Sequence, residues 1–463
     1  MEPLPLHFFS EASHGRLVND LGDIEIERVV TDSRTTRPGD LFVALRGDRF
    51  DAHDFISEAI DGGASAVLCS ESNIHSPPLN LPTLWVRDTR IALGQIAAAY
   101  RARHWVQMVC IAGSNGKTTT KEWLAALLST RFKTLHSEAS FNNDVGVPLS
   151  LLRLDSSHAA AVIEAGTNHP GELAPLIRMI APTVGLVPNI GREHLEHFLN
   201  LQGVIDEESA LGEALPSSGT LFLNGDLLES DILAQRTKAS VVRVGFGPQN
   251  DWIIRLIETR WKSTRFHLIA PKSAWTGEFE LGMNGRHMVG NAVLALAAAA
   301  EMGVGPEEAR QALAGFHGVK QRLHCSEIKG VRLIDDTYNA NTDSMLAALQ
   351  TLADIPCFGR RIAILGDMAE LGSNSAESHR EIGAAAADLY VNMVIAIGQF
   401  ASITAQAARG SALCLAFDSI ESALPDIHRL VQSGDLVLAK ASRSSQLERV
   451  LESLRCDLQQ KIS

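Results

Sequence analysis

No two of the six cysteines (Cys69, Cys110, Cys325, Cys357, Cys414 and Cys456) are spaced as C-x-x-C, so neither a zinc site nor a disulfide framework is indicated. Reduced thiols in a cytoplasmic protein are expected. Positive charge is also short: 41 Lys and Arg against 54 Asp and Glu leave a formal charge of −13. That argues against a protein that mainly grips a nucleic-acid backbone, which needs clustered cations, and any polyanionic ligand must be small and locally held. The longest apolar run, around Ala292 to Ala300, is far short of the roughly 20 residues that span a bilayer, so no membrane insertion is expected. Residues 1–15 lack the basic segment and apolar stretch of a secretory signal. No repeat or low-complexity stretch stands out.

What is present is an ordinary globular composition, 45% hydrophobic and 21% charged, over 463 residues. That length suggests about three domains. Residues 24–45 alternate apolar segments with turns (Thr31 to Arg34 and Arg37 to Asp40). A helix pattern at Phe55 to Gly62, strands at Ala66 to Cys69 and Leu84 to Val86, and a helix from Asp88 to about Arg103 follow. A smaller N-terminal α/β domain is placed at 1–104. From Val106 strand and helix patterns alternate through Ala159 to Ile163, Val184 to Val187 and Gly219 to Leu223, which predicts a mostly parallel sheet with helices on both faces. Residues 252–281 read as antiparallel strands, and a helix follows from about Val289 to Met302. This central domain is placed at 105–314. Strands at Val331 to Ile334, Arg361 to Leu365, Met393 to Ile397 and Leu436 to Ala439, separated by helical patterns, predict a Rossmann-like domain at 315–463. The fold class is therefore α/β in three domains.

Between the apolar run Val106 to Ile111 and a helix candidate at Thr119 to Thr130 lies Ala112-Gly-Ser-Asn-Gly-Lys-Thr-Thr119. Small residues let backbone N–H groups turn towards phosphate oxygens, Lys117 adds a cation, and the Thr118 hydroxyl can hold Mg²⁺. The gap from Gly113 to Gly116 is shorter than in the usual P-loop pattern. The helix supplies context, with an apolar stripe at Trp123, Leu124, Leu127 and Leu128 to pack against a sheet. A glycine turn opening an ordinary helix is the plainer alternative.

Three further segments end strands with polar side chains. Glu164 closes Ala159 to Ile163, where a Mg²⁺-associated carboxylate would stand; a solvated strand-end acid is the alternative. His194 follows Val184 to Val187, and a lone histidine is as well read as structural. Asp335-Asp-Thr-Tyr-Asn-Ala-Asn341 follows Val331 to Ile334, at the sheet edge where α/β domains bind ligands, or as a turn satisfying its own backbone.

Together these segments resemble the Mur ligase family of peptidoglycan synthesis over nearly the whole chain. The resemblance is carried by Thr31-Asp-Ser-Arg34 with Pro38 to Leu45, Gly113 to Thr119, Phe141-Asn-Asn-Asp-Val-Gly-Val-Pro148 and Ile163 to Glu172. It continues through His194-Leu-Glu196, Gly285-Arg-His287 with Asn291, Leu333 to Asn341, Leu365 to Gly372, and Ser442-Arg-Ser444. The segments Asp336 to Asn341 and Gly366 to Gly372 resemble those of the member that adds D-alanyl-D-alanine to UDP-N-acetylmuramoyl-tripeptide (UDP-MurNAc-tripeptide).

The resemblance implies an ATP- and Mg²⁺-dependent amide ligase, a monomer, that works through an acyl phosphate. It places Gly113, Ser114, Asn115, Gly116, Lys117, Thr118 and Thr119 on the nucleotide phosphates. Thr118, Glu164 and His194 fall around the metal, and His287 and Asn291 near the adenine or metal. Arg322 and Asp336 reach the nucleotide from across the cleft, so Lys117, Glu164, His194 and Arg322 form the catalytic set. Asp32, Ser33 and Arg34 are implied to hold UDP. Asn142 and Asn143 lie near the sugar-peptide, and Tyr338, Asn339, Asn341, Ser442 and Arg443 on the dipeptide side.

One departure is marked. The family carbamylates a lysine to make a metal ligand, but no lysine occurs between Lys133 and Lys238, and Glu208 falls at or near that position. Its carboxylate is expected to substitute at the metal; a solvated helix acid beside Asp206 and Glu207 is the alternative. Met288, Thr342 and Ala441 are smaller departures from the motifs. Two rival functions stand: another Mur or folylpolyglutamate-type ligase, and a nucleotide-binding homologue without chemistry.

Overall fold

The computed structural model describes residues 1–22, 24–47, 50–73, 81–316 and 318–460. Three large sheets carry it. The first has five strands, Arg16–Val18, Thr83–Val86, Ala66–Ser70, Asp40–Val43 and Arg28–Val30 in spatial order, parallel except for the first. The second has nine and is built around the strand Gln107–Ile111, which pairs in parallel with Ala160–Glu164 on one side and Val184–Val187 on the other. The third has six and is parallel except for its edge strand His324–Ile328.

The central sheet is extended at one end by Trp252–Arg260, Ser263–Ile269 and Gly277–Leu281. The antiparallel reading holds for the last two, whereas Trp252–Arg260 enters parallel to its inner neighbour Ser240–Gly245. Strands Thr134–His136, Ser240–Gly245 and Leu413–Phe417 add to the elements expected from the sequence; the first has only three residues, and the other two are mostly half-buried.

The predicted stripe of the P-loop helix is fully buried: Trp123, Leu124, Leu127 and Leu128 join Val109, Ile111 and the alanine-rich helix Arg286–Glu301 in one cluster. Each such side chain contributes roughly 1.5–3 kcal/mol by leaving water. The helix runs Lys117–Ser129, starting two residues before the sequence suggests, because Gly116 at φ 87° caps it and turns the loop into its first N–H groups.

Helix Thr89–Arg101 fastens the N-terminal sheet to the central one. Its Leu93, Ile96 and Ala97 share a cluster with Leu151, Leu176 and Ile177, and the Tyr100 hydroxyl donates to Leu154 O at 2.6 Å.

In the third sheet the last strand, Leu436–Lys440, runs between Val331–Asp336 and Arg361–Gly366, in register so that Lys440 lies opposite Asp336. The C-terminal edge of this sheet thereby faces the P-loop across a cleft.

Candidate active site

That cleft holds a cavity of about 410 Å³ whose lining begins at Ser114 in chain order and draws on both the central and C-terminal sheets. Ser114 to Thr119 form one wall. Gly113 lies just behind it at φ 106°, where a Cβ would stand 2.6 Å from Asn189 O. Lys117 Nζ donates to the carbonyls of Gly113 and Ser114 and stands 3.8 Å from the Glu193 carboxylate. Burial alone would lower its pKa, but Glu193, Glu208 and Glu164 outweigh burial and raise it, so the side chain is a cation.

Glu164 is 1% exposed at the end of its strand. One carboxylate oxygen accepts the Asn142 side-chain N–H at 2.8 Å; the other, Oε2, is buried without a hydrogen-bond partner. An orphaned carboxylate oxygen beside Thr118 and His194 in a polar cavity is chemically suited to a hard cation. Among the described residues no group of three His, Cys, Asp or Glu side chains could hold a metal unaided. Mg²⁺ suits such a site, because it is commonly held by one or two protein oxygens together with water and phosphate.

From the far side Arg322 Nη2 donates to Thr118 Oγ1 at 3.0 Å, and its guanidinium stacks 4.1 Å from the Tyr338 ring centroid. Tyr338 also bonds Ser140, and Asn341 Nδ2 donates to Asn115 Oδ1 at 2.9 Å. His194 Nδ1 meets Glu370 Oε2 at 2.5 Å, a contact that holds the Glu370 pKa below its usual value. His287 is pushed down to about 4 by burial, so it offers a neutral imidazole at neutral pH. The Asn291 amide packs against Gly116, and Asn142, Asn143 and Asn339 also line the cavity.

Other expected residues lie elsewhere. Asp32 caps the turn Ser33–Thr35 and pairs with Arg34, while Ser33 donates to Glu58; all three are outside this cavity, on the N-terminal sheet's loops. Ser442 lines a second cavity of about 360 Å³ with Glu196, Met368, Phe400 and Ser444; this cavity shares Ala369 and Glu370 with the first. Arg443 is exposed and paired with Glu448. Glu208 is absent from the cavity wall. It is buried behind the P-loop, where Oε2 accepts the Gly113 N–H at 2.6 Å, and the expectation that it would stand at the metal does not fit this placement.

Sequence reasoning passed over Lys440. Its ammonium is 4% exposed, pairs with Asp336 Oδ2 at 2.6 Å and donates to Asn339 O at 2.9 Å. A lysine closing an otherwise apolar buried strand was its signal. Asn224, Asp226 and Phe246, which also line the cavity, had none.

Three family models match in chain order: "Mur ligase family, catalytic domain" over residues 25–101, "Mur ligase middle domain" over 111–299, and "Mur ligase, glutamate ligase domain" over 321–443. The UDP-N-acetylmuramoyl-tripeptide--D-alanyl-D-alanine ligase of Escherichia coli (strain K12) is 36% identical over 94% of both chains. The chain belongs to the Mur ligase family. The Bacillus subtilis (strain 168) ligase of the same name is 31% identical over 93% of each chain. Among solved Mur ligases, a crystal structure of MurF from Acinetobacter baumannii superposes with a TM-score of 0.90 at 33% identity, covering 98% of this chain and 99% of that one. MurF from Thermotoga maritima in complex with ADP gives 0.83 at 28% identity, covering 94% and 98%.

Proposed function

We propose that the chain is the ATP-dependent ligase that joins D-alanyl-D-alanine to UDP-MurNAc-tripeptide, giving the pentapeptide precursor of peptidoglycan in the cytoplasm. The observation that carries this reading is the convergence in one cavity of Lys117, the unpartnered Glu164 oxygen and Arg322 from the turn that leads into the C-terminal sheet. Near-full-length relatives named for the reaction support it.

A carboxylate is a poor electrophile, and ATP converts the tripeptide's terminal carboxylate into an acyl phosphate with release of ADP. The dipeptide amine attacks that carbon, and the tetrahedral adduct expels inorganic phosphate to leave the amide. Lys117 and Arg322 neutralise charge that develops on the transferred phosphoryl group, and the cavity holds the reactants against one another. Thr118, Glu164 and His194 would hold Mg²⁺, which supplies charge neutralisation on the phosphates when bound. Neutral His287 and Asn291 face the nucleotide, with Asp336 fixed by Lys440.

Asn142 and Asn143 meet the sugar-peptide, and Asp32, Ser33 and Arg34 hold UDP on the N-terminal domain (1–104). The central (105–314) and C-terminal (315–463) domains enclose ATP. The dipeptide enters through the second cavity at Ser442, next to Arg443, and meets Tyr338, Asn339 and Asn341 in the first. The protein acts as a monomer.

The test is phosphate release by the purified chain with Mg²⁺, ATP and UDP-MurNAc-tripeptide, with and without D-alanyl-D-alanine, and the product weighed by mass spectrometry. Release and a pentapeptide that both require the dipeptide are expected. Release with a different amine alone, or none from folded protein, rejects the assignment.

A further inference from the structure

Arg192 lies outside the cavity wall, yet it makes five hydrogen bonds from the central sheet's loop to helices of the C-terminal sheet. Its Nε and Nη2 donate to Asp343 Oδ1 at 2.9 and 2.7 Å, its Nη1 to Glu381 Oε2 at 2.9 Å, and its Nη2 also to Glu381 Oε1 at 3.1 Å. The backbone N–H of Arg192 donates to Asp343 Oδ2 at 2.7 Å. Gly191 permits this approach, since a Cβ there would stand 2.6 Å from the same oxygen.

The partners come from two helices of the C-terminal domain. Asp343 is in the first turn of Thr342–Asp354, whose capping residue Asn341 reaches the P-loop at Asn115. Glu381 is in Ser375–Asp388. On the other side Arg192 belongs to the loop after Val184–Val187 that carries Glu193, the partner of Lys117, and His194. One guanidinium thus ties the docked position of the C-terminal helices to the backbone that presents two site residues. The three side chains are 36%, 29% and 38% exposed, so water can reach the pairs and they can part and re-form.

We propose that Arg192 is a positioning residue that couples docking of the C-terminal domain to placement of the Glu193–His194 loop, and thereby to turnover. A planar fork is needed, because two carboxylates are bridged at once; a lysine ammonium reproduces the charge and only part of the geometry. The inference rests on the ligase reading for the nucleotide and UDP-substrate used in both readouts, and on the dipeptide acceptor for the kinetic readout alone.

The test compares Arg192→Ala, Arg192→Lys and Glu381→Gln with the parent. Arg192→Ala is expected to lower kcat by about tenfold or more, as a displaced site loop does, while KM for UDP-MurNAc-tripeptide stays at the parent value. Small-angle scattering with ADP and UDP-MurNAc-tripeptide should show less compaction for Arg192→Ala, and Arg192→Lys and Glu381→Gln should fall between it and the parent in both readouts. Parent-like kcat, parent-like compaction, or a loss explained by a lowered melting temperature would overturn the inference. The scattering comparison needs no acceptor amine. A wrong acceptor would therefore abolish dipeptide-dependent turnover in the parent and leave the compaction result standing.

Discussion

Glu208 Oε2 accepts the backbone N–H of Gly113 at 2.6 Å, so this buried carboxyl braces the glycine-rich loop from beneath. Removing it would strand a buried N–H at the first turn of that loop, at a cost of roughly 1–3 kcal/mol, and open a cavity behind it. Glu208→Ala is expected to lower the melting temperature and raise KM for ATP. Glu208→Gln, which keeps an acceptor oxygen, should be much milder. Differential scanning fluorimetry and ATP titrations check both, and equal effects of the two variants would contradict the brace.

The same residue predicts a pH slope. Burial pushes the Glu208 carboxyl up to about 8; Lys117 and the Gly113 N–H oppose the rise, and Glu193 and Glu207 add to it. The folded protein therefore keeps this proton up to about 8, whereas the unfolded chain releases it near the ordinary value of 4.5. Between those values the folded state binds more protons. This contribution to stability is fully present below the ordinary value and is lost as pH rises through the folded one. Melting temperature measured across that window should fall in the parent more steeply than in Glu208→Gln, which has no proton to release.

Glu164 makes a separate prediction, because one oxygen is held by Asn142 and the other has no partner. Glu164→Gln keeps the shape and the acceptor for Asn142 but removes the charge offered to a cation. Turnover should fall on the order of 10²-fold, the scale on which one preorganised electrostatic partner is felt, and the Mg²⁺ concentration giving half-maximal rate should rise. An unchanged Mg²⁺ requirement would remove Glu164 from the metal site.

Lys440 and Asp336 are partners in a nearly dry pair, 4% and 13% exposed at 2.6 Å. Lys440→Met would leave Asp336 with the Leu323 N–H as its remaining named donor, at 3.1 Å. Loss of one member of such a buried pair costs about 3–5 kcal/mol. The domain should melt earlier and ATP bind more weakly, and the double variant Lys440→Met with Asp336→Asn should regain part of the stability. No recovery would mean that the lysine acts by packing alone.

These residues also mark what could be read before the fold was known. The P-loop, Glu164 and Asp336 were legible because each stands where an apolar run ends, and a run of buried strand residues is a local pattern. Lys440 was not, since its meeting with Asp336 depends on the last strand entering between two earlier ones. The place of Glu208 in its motif suggests a metal ligand, whereas its carboxylate turns to Gly113. Motif position gives the helix but not the turn of it that faces Gly113. Arg192 finds its partners on helices far along the chain, and nothing in the local segment foretells a bridge to two carboxylates.

Gly116 tests the loop's shape directly. Its φ of 87° is strained for any residue with a Cβ, by roughly 1–2 kcal/mol, and here the Cβ would also collide with the Asn291 side-chain amide. Gly171 is a matched control, with φ 89° and nothing within 4 Å of where a Cβ would stand. Gly171→Ala should therefore show the strain alone, as a small loss of stability with near-parent KM for ATP. Gly116→Ala should add a displaced Asn291 and a distorted phosphate loop, with KM for ATP raised well beyond the control. If both variants bind ATP alike, the packing of Asn291 against the loop is irrelevant to nucleotide binding, and the role proposed for that side chain falls.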